Sequence, residues 1–346
     1  MSAFSKVWTW LKWPLALACL TYLYARHSSA LNELAERPKD WRFLVLGFVL
    51  CLSAALMTFY RWYLLVWAQG FSFRIRDAVR LGFLGMLFNY VGPGSVGGDL
   101  FKAVILAREQ ASRRTVAAAT VVLDRILGLL ALFMVGAVST LFYRHLRQSV
   151  ELRTAALFLW VGSLGGLIGL GLMLSPSVTR WRGVRIVERL PLVGHALREL
   201  LHGVELYQTK KKAILLSVLV SLVAHIGMIG GFYCCALAMR QAWIPDLGAH
   251  YYFMPIAELF GVLIPVPGGV GTLEGAIAQS YRSIAAVSSI PGDQAFAAGL
   301  AAALAFRVVT VAIAAVGLAY YVTARKEISQ ALEDAAHVSD APLPAA

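Results

Sequence analysis

The pattern Pro-Gly-x-Val-Gly occurs twice in the chain, at residues 93–97 and 267–271, and each copy interrupts an apolar stretch. Proline lacks an amide proton and glycine adopts turns that other residues cannot, so each copy predicts the end of one half-helix and the start of another. Lipid cannot satisfy the backbone groups that such a break exposes, and only protein or a wet cavity can surround it. The two motifs therefore predict two helical hairpins, broken at Pro93 and Pro267.

The composition is that of an integral membrane protein. Of the 346 residues, 59% are hydrophobic and only 14% are charged, whereas soluble domains carry about 25% charged residues. The net charge of +12 comes from basic residues between the apolar stretches, as the positive-inside rule expects. No polar stretch is long enough for a nucleic-acid-binding domain. We therefore expect an anionic membrane surface, and no nucleic acid, as the partner of this charge.

Hydropathy predicts an all-α polytopic membrane protein with about six spanning helices, since a crossing needs about 20 apolar residues. The predicted spans are Trp8–Tyr24, Trp41–Trp67, Thr115–Tyr143, Ala155–Leu174, Ala213–Met239 and Gln294–Tyr321. The two apolar regions that hold the motifs are Asp77–Ala107 and His250–Tyr281. Each half of these regions is too short for a full crossing, so both are interpreted as re-entrant Pro-Gly hairpins that enter and leave on one side.

The charge distribution predicts the topology. Most Lys and Arg residues face the cytoplasm when both termini are placed there, and the opposite orientation inverts this bias. We therefore expect a multi-pass protein of the cell inner (plasma) membrane. An odd number of predicted crossings separates the helices that precede the two hairpins. The two segments, about 41–143 and about 213–323, are thus predicted to be inverted repeats whose Pro-Gly tips meet near the midplane.

The remaining segments are predicted to be peripheral to a single transmembrane domain, residues 1–326. Residues from about 175 to 212 form its polar cytoplasmic connection. Apolar residues recur at helical spacing from Leu192 to Val204, which favours an amphipathic interfacial helix over a simple basic linker. Residues 327–346 are polar and rich in Pro and Ala, which predicts a disordered cytoplasmic tail.

The glycines around each break predict an anion site. The second half-helix of each hairpin directs free N–H groups and the positive end of its dipole at whatever occupies the break. A lipid phosphate is the natural anion at that depth, and glycine allows it to approach the backbone closely. The predicted backbone contacts are Gly94, Gly97, Gly98, Gly268, Gly269 and Gly271. The alternative is that both breaks are only kinks that improve helix packing.

Two arginines at membrane depth are the predicted phosphate ligands. Arg125 and Arg307 each lie in the helix that follows a hairpin, and a guanidinium holds phosphate by charge-assisted hydrogen bonds. Carboxylates nearby are predicted to bind a cationic head group or to carry a coupling proton, and they are Asp99, Asp124, Glu258 and Glu274. In the alternative, each arginine forms a structural ion pair with one of these carboxylates. Arg125 would pair with Asp99 or Asp124, and Arg307 would pair with Glu274 or Glu258. The two roles are compatible.

No catalytic or metal-binding set accompanies these residues. The sequence has no Ser/His/Asp arrangement, no Walker loop and no cluster with metal-ligand spacing, so we expect neither an enzyme nor a cofactor. Without an ATPase motif, transport would be driven by a gradient, be passive or depend on a partner. Arg61 lies near a helix end, where we expect it to snorkel, and His225 is interpreted as a packed helix residue.

The residues around the two motifs resemble a known family. The runs at 91–103 and 121–125, VGPGSVGGDLFKA and VVLDR, are similar to the first signature of the lysylphosphatidylglycerol synthase transmembrane family, whose members are also called flippase-like domain proteins. The runs at 265–276 and 305–307, PVPGGVGTLEGA and AFR, resemble its second. The resemblance implies a polytopic inner-membrane protein that moves lipids between leaflets. In the multiple peptide resistance factor, a similar membrane part precedes a soluble synthase domain, which we expect this chain to lack.

One function fits the motifs best, and two others stay open. The first is a lipid flippase or transporter that moves an anionic phospholipid or a polyprenyl-linked intermediate between leaflets, with the head group between the hairpins. The second is a polytopic glycosyl- or lipid-transferase, which would need catalytic carboxylates in a water-facing loop. The third is a non-transporting partner of a lipid-modifying enzyme encoded separately. The sequence also leaves a homo-oligomer open.

Overall fold

The computed structural model describes residues 38–91, 97–143, 149–179, 203–263 and 266–323, together with the isolated positions 21 and 36. These residues form helices joined by short turns, and no strand occurs among them. The helices within the described ranges are α1 Trp41–Ala68, α2 Ile75–Val91, α3 Gly97–Glu109, α4 Arg114–Phe142, α5 Val150–Met173, α6 Pro176–Thr179, α7 Lys211–Ala238, α8 Leu247–Leu263, α9 Thr272–Val287 and α10 Gly292–Thr323. Residues 203–209 are also helical. The prediction of an all-α protein is confirmed.

Five helices in the described ranges are long and apolar enough to cross a membrane. They are α1, α4, α5, α7 and α10, with 24 to 32 residues and mean hydropathies of 1.9 to 2.3. A helix of this length reaches at least about 36 Å, compared with about 30 Å for the hydrocarbon core of a bilayer. Five of the six predicted spans are thus confirmed, close to their predicted bounds. The first, Trp8–Tyr24, lies outside the described residues apart from position 21.

The first motif region contains two short antiparallel helices, α2 and α3. The rings of Phe88 and Phe101 stack with centroids 4.4 Å apart, and the Gly98 amide donates to Asn89 Oδ1 at 2.9 Å. A Cβ atom at Gly98 would lie 1.9 Å from the carbonyl oxygen of Gly85. Only glycine allows this approach, so the position of α3 against α2 depends on Gly98.

Both ends of this hairpin lie on the same side of the bundle. Arg113, just after α3, donates from Nη1 to the backbone oxygen of Gln69 at 2.9 Å and from Nη2 to its Oε1 at 3.2 Å. Gln69 directly follows α1, so the chain returns to the place where it entered. The predicted break at Pro93 and Gly94 falls in residues 92–96, outside the described residues.

The second motif region contains the matching pair, α8 and α9, with 17 and 16 residues. His250 near the start of α8 shares a hydrogen bond of 2.8 Å with the hydroxyl of Tyr281 in the second half of α9, so the two helices are antiparallel. Gln241, just after α7, donates from Nε2 to the carbonyl oxygen of Ala298 in α10 at 2.7 Å. This hairpin also leaves on the side at which it enters, and the prediction of two re-entrant hairpins is confirmed.

The helices that precede the two hairpins, α1 and α7, pack against each other in opposite directions. Gly47 in the first half of α1 lies against Gly231 in the second half of α7. Arg61, in the second half of α1, donates to Ser221 Oγ of α7 at 2.8 Å. The hairpins therefore enter the bundle from opposite ends, as inverted repeats require. The exact repeat and domain bounds stay predictions.

The predicted cytoplasmic connection docks against the end of α1 where it is described. Gln69 donates from Nε2 to the carbonyl oxygen of Gly203 at 3.0 Å, and the Tyr207 hydroxyl donates to the carbonyl oxygen of Leu65 at 3.1 Å. Residues 180–202, which hold most of the predicted amphipathic helix, lie outside the described residues, and so does the predicted tail, 327–346.

Gly231→Ala is expected to lower the thermal stability of the protein in detergent, because the added Cβ would lie 2.5 Å from Cys51 Sγ and 3.0 Å from the carbonyl oxygen of Gly47. Overpacking of this kind costs about 1–3 kcal/mol. Gly165→Ala in α5 is the matched control, since no described atom lies within 4 Å of its Cβ and alanine favours a helix. The melting temperatures of both variants are measured by scanning fluorimetry. Equal shifts would contradict a close contact between α1 and α7.

Candidate functional site

A cavity with mostly apolar walls and several ionisable side chains lies beside the first hairpin, between it and the helices around it. Its volume is about 430 Å³, and its walls come from α1, α2, α3, α4, α7 and α8. The ionisable side chains among its described lining residues are Arg61, Asp99, Lys102, Asp124, Arg125, His225 and Glu258. A smaller cavity of about 240 Å³ shares Arg125 and Glu258 with it and reaches Gly268 and Gly269. The two hairpins therefore border one polar region inside an apolar bundle.

The two predicted arginines lie near the middle of spanning helices. Arg125 is in the first half of α4, which starts at Arg114, and Arg307 is close to the midpoint of α10, which runs from Gly292 to Thr323. At 1.5 Å per residue, they lie roughly 17 and 22 Å from the start of their helices. An ionisable side chain at this depth is costly on insertion scales, so each needs a polar partner.

The partner of Arg125 is Asp99. Arg125 donates from Nε to Asp99 Oδ2, and Lys102 Nζ lies 2.9 Å from Asp99 Oδ1. Asp99 is in the first turn of α3, where the positive end of the helix dipole also favours a carboxylate. The Arg125 side chain is 45% exposed, and Nε is its one nitrogen with a hydrogen bond to a described residue. Its terminal nitrogens are thus available at the cavity.

The partner of Arg307 is Glu274, and every nitrogen of the Arg307 guanidinium has a hydrogen-bond partner. Arg307 donates from Nε to Glu274 Oε1 at 2.5 Å, from Nη1 to the carbonyl oxygen of Gly268 at 2.6 Å, and from Nη2 to that of Gly269 at 3.3 Å. Glu274 Oε2 accepts the Gly271 amide at 2.7 Å. The side chain of Glu274 is 1% exposed and that of Arg307 is 15% exposed. All three guanidinium nitrogens therefore hold the second break together.

The second break has the backbone that its glycines predict. Pro267 begins a 3₁₀ turn, and φ is 58° at Gly268, 63° at Gly269 and 85° at Gly271. These angles lie in the left-handed region that glycine enters without a steric penalty. At the first break, Gly97 and Gly98 begin α3. The predicted contacts of all these glycines with a phosphate stay predictions.

The two hairpins touch at the level of the breaks. Tyr90, at the end of α2, packs against the second break, because a Cβ atom at Gly268 would lie 2.5 Å from its ring. Its hydroxyl donates to Thr310 Oγ1 at 3.3 Å, and Arg307 Nη1 donates to that hydroxyl at 3.4 Å. The second hairpin therefore closes against the first one as well as against α10.

Asp124 pairs with Arg61 and not with Arg125, its neighbour in the sequence. Arg61 forms two hydrogen bonds with it, from Nε to Oδ1 at 2.7 Å and from Nη2 to Oδ2 at 3.0 Å. Arg61 is only 5% exposed, so the expectation that it snorkels is wrong. The reason is that α7 covers this part of α1, and Arg61 reaches into the bundle instead. Adjacent residues on a helix do not face each other, so Asp124 next to Arg125 was the available sequence signal that this carboxylate needs a cation from another helix.

Glu258 and His225 lie together at the same cavity. Their closest atoms, Oε2 and Nδ1, are 3.9 Å apart, which is too long for a hydrogen bond. Glu258 Oε1 and His225 Nε2 are buried and have no hydrogen-bond partner among the described residues. No group of three or more His, Cys, Asp and Glu residues in the described ranges could hold a metal ion.

Long apolar helices around two inverted, broken hairpins, each with an arginine–carboxylate pair at its break, define a polytopic membrane protein of the discontinuous-helix class. The family model for the lysylphosphatidylglycerol synthase TM region matches residues 7–317. The chain belongs to this family, which places it among membrane proteins involved in lipid handling. Comparisons with the curated proteins and with the solved structures give no match.

Arg307→Ala is expected to destabilise the protein by about 3–5 kcal/mol, because Glu274 would stay buried without its cation and two carbonyl groups of the break would lose their donor. The control is Arg240→Ala, which removes an ion pair with Asp40 at the surface, where the Arg240 side chain is 54% exposed and the effect is expected to be small. The free energy of unfolding of both variants is measured in mixed micelles. Equal losses would contradict the structural role of Arg307.

Proposed function

We propose that the chain is a lipid flippase or transporter that moves a phospholipid or a lipid-linked intermediate between the leaflets of the inner (plasma) membrane. The observation that carries the proposal is the cavity between the helices, lined by charged side chains, with the half-exposed side chain of Arg125 on its wall. A head group that crosses a bilayer needs a polar path, while its acyl chains stay in lipid. The proposal gives the chain no catalytic step and no cofactor.

The cavity has an apolar mouth, which supports a separation of the head group inside the cavity from the acyl chains in the lipid. Leu129 in α4 and Val262 and Leu263 in α8 line the cavity, and their exposed fractions are 40%, 44% and 65%. Side chains of this kind face acyl chains in a membrane. The cavity is therefore bordered by the lipid-facing surface between α4 and α8, where a lipid can place its head group inside and keep its chains outside.

Arg125 is the proposed phosphate ligand in this conformation. A guanidinium has five N–H donors, and the bond to Asp99 uses the one at Nε. The terminal nitrogens can bind two phosphate oxygens as a fork without breaking this bond. Lys102 supplies a second positive charge to Asp99, so the carboxylate stays neutralised when Arg125 binds phosphate.

Arg307 is proposed to take the same role in a second conformation. Inverted repeats alternate by exchanging the arrangements of their two halves around a shared site. In the described conformation the side chain of Arg125 is open to the cavity, whereas Arg307 is held by its hydrogen bonds at the second break. The exchanged arrangement opens the second hairpin, releases Arg307 from the carbonyl groups of Gly268 and Gly269, and presents it to phosphate from the other side.

The proposed orientation places the first hairpin's entrance in the cytoplasm. The end of the bundle that holds this entrance collects many basic residues, and they are Arg74, Arg76, Arg80, Arg108, Arg113, Arg114, Lys210, Lys211 and Lys212. The opposite end carries fewer basic residues among those described, namely Lys39, Arg42, Arg153, Arg240 and Arg282, and the last two lie beside an aspartate at 3.0 Å and 3.8 Å respectively. By the positive-inside rule we propose that the basic end, where α10 ends, faces the cytoplasm, and the predicted first span would bring the N-terminus to the same side. An anionic cytoplasmic leaflet is the proposed partner of this surface.

Arg125→Ala is expected to slow phospholipid movement in proteoliposomes by at least about tenfold, because one charge-assisted hydrogen bond contributes about 1.5–3 kcal/mol. Arg125→Lys is expected to recover part of the rate, since it keeps the charge and loses the fork. Arg240→Ala, at the exposed ion pair with Asp40, is the control and should match the wild type. Dithionite quenching of acyl-chain-labelled phospholipids measures the rate. Equal rates in wild type, Arg125→Ala and empty vesicles would reject the proposal.

A further inference from the structure

The cavity has an unused acceptor site in addition to its open cation. Glu258 comes from α8 and His225 from α7, and each has a buried polar atom, Oε1 and Nε2, without a partner in the described part of the chain. Both residues line the 430 Å³ cavity. Buried polar groups in native proteins are almost always hydrogen-bonded. These two atoms are covered, but the His225 and Glu258 side chains that carry them are 17% and 21% exposed, so the accessible part of the carboxylate can meet a ligand with hydrogen-bond donors.

The other carboxylates of the cavity already have cations. Asp124 is neutralised by two hydrogen bonds from Arg61, and Asp99 contacts both Lys102 and Arg125. Glu258 is the remaining carboxylate, and His225 is its one basic neighbour within 4 Å among the described residues. The cavity thus has a positive region at Asp99, Lys102 and Arg125 and, when Glu258 is ionised, a negative region at that carboxylate.

This charge separation selects a kind of head group. The three basic side chains and the three carboxylates that line the cavity cancel when Glu258 is ionised. An anionic lipid would add an uncompensated negative charge in a region of low dielectric constant and would leave Glu258 unpaired, and both are unfavourable. A zwitterionic head group keeps the total at zero and pairs both regions. Because Arg125 and Glu258 also line the same smaller cavity, one small head group can reach both.

We propose that Glu258 and His225 form an ammonium subsite and that the preferred substrate is a phospholipid with one primary ammonium close to its phosphate, of the phosphoethanolamine type. The inference rests on the proposed function, in which Arg125 binds the phosphate. An ammonium has three N–H donors, and the accessible part of the Glu258 carboxylate, whose side chain is 21% exposed, accepts one of them beside the imidazole of His225. The sequence predicted an anionic lipid, and the cavity's charge pattern favours a zwitterion instead.

The test uses the full chain in proteoliposomes with three acyl-chain-labelled lipids, phosphatidylethanolamine, phosphatidylcholine and phosphatidylglycerol. We expect the wild type to move phosphatidylethanolamine about tenfold faster than phosphatidylglycerol, in keeping with one hydrogen bond to a charged group. Phosphatidylcholine has the charge without an N–H donor and is expected to lie between them. Glu258→Gln should bring the rate ratio of phosphatidylethanolamine to phosphatidylglycerol close to one. Glu151→Gln, at an exposed carboxylate in the first turn of α5, should keep the wild-type ratio.

Native mass spectrometry of the same purified proteins separates this inference from the flippase proposal. Wild type that binds phosphatidylethanolamine in preference to phosphatidylglycerol, with the preference lost in Glu258→Gln, supports the subsite even if no lipid is moved, in which case the flippase proposal alone fails. Wild type that moves all three lipids equally and binds them equally overturns the subsite and leaves the flippase proposal in place. A preference that Glu258→Gln retains also overturns it.

Discussion

A helix that breaks inside a membrane must provide partners for the backbone groups that it no longer pairs, and the Arg307–Glu274 pair provides them in the second hairpin. The guanidinium donates to the carbonyl groups of Gly268 and Gly269, and the carboxylate accepts the amide of Gly271. The arginine without the carboxylate would be a buried uncompensated charge, and the carboxylate without the arginine would leave two carbonyl groups unsatisfied. The break, the glycines and the ion pair are thus one unit, and the rest of the second hairpin packs around it.

The first hairpin has the same order of residues but a different balance of charge. Asp99, like Glu274, sits in the first turn of the second half-helix and pairs with Nε of an arginine in the next long helix. Lys102 gives Asp99 a second cation, so Arg125 is not the sole compensating charge for this carboxylate. This extra cation explains how the open cavity can form beside the first pair while the second pair stays packed. Two halves in different arrangements are also what the alternation proposed above requires.

The sequence predicted the helices and breaks well because both depend on local properties. Apolar length gave five spans, and Pro-Gly gave the second break, where Pro267 begins the turn. For Arg125 and Arg307 the sequence offered two possible partners each, including the observed Asp99 and Glu274, but the choice between them depends on helix packing, which no local pattern contains. Asp124 and Arg125 are adjacent in sequence, but neighbouring residues on a helix do not face each other. Asp124 therefore pairs with Arg61 on one side, and Arg125 pairs with Asp99 on another. Arg61 was misjudged because its place near a helix end does not reveal that α7 covers it.

Selectivity in such a cavity follows from where its charges lie more than from their sum. Charges that cancel overall do not attract ions from a distance, because the long-range field is weak. At close range, however, the open guanidinium of Arg125 and the carboxylate of Glu258, when it is ionised, present opposite signs to the same cavity. A single ion satisfies one of them and leaves the other unpaired, whereas a linked phosphate and ammonium satisfy both. The apolar mouth at Val262 and Leu263 adds a second condition, since it is suited to a ligand that carries acyl chains. A zwitterionic phospholipid meets both conditions, while a free zwitterion meets only the first.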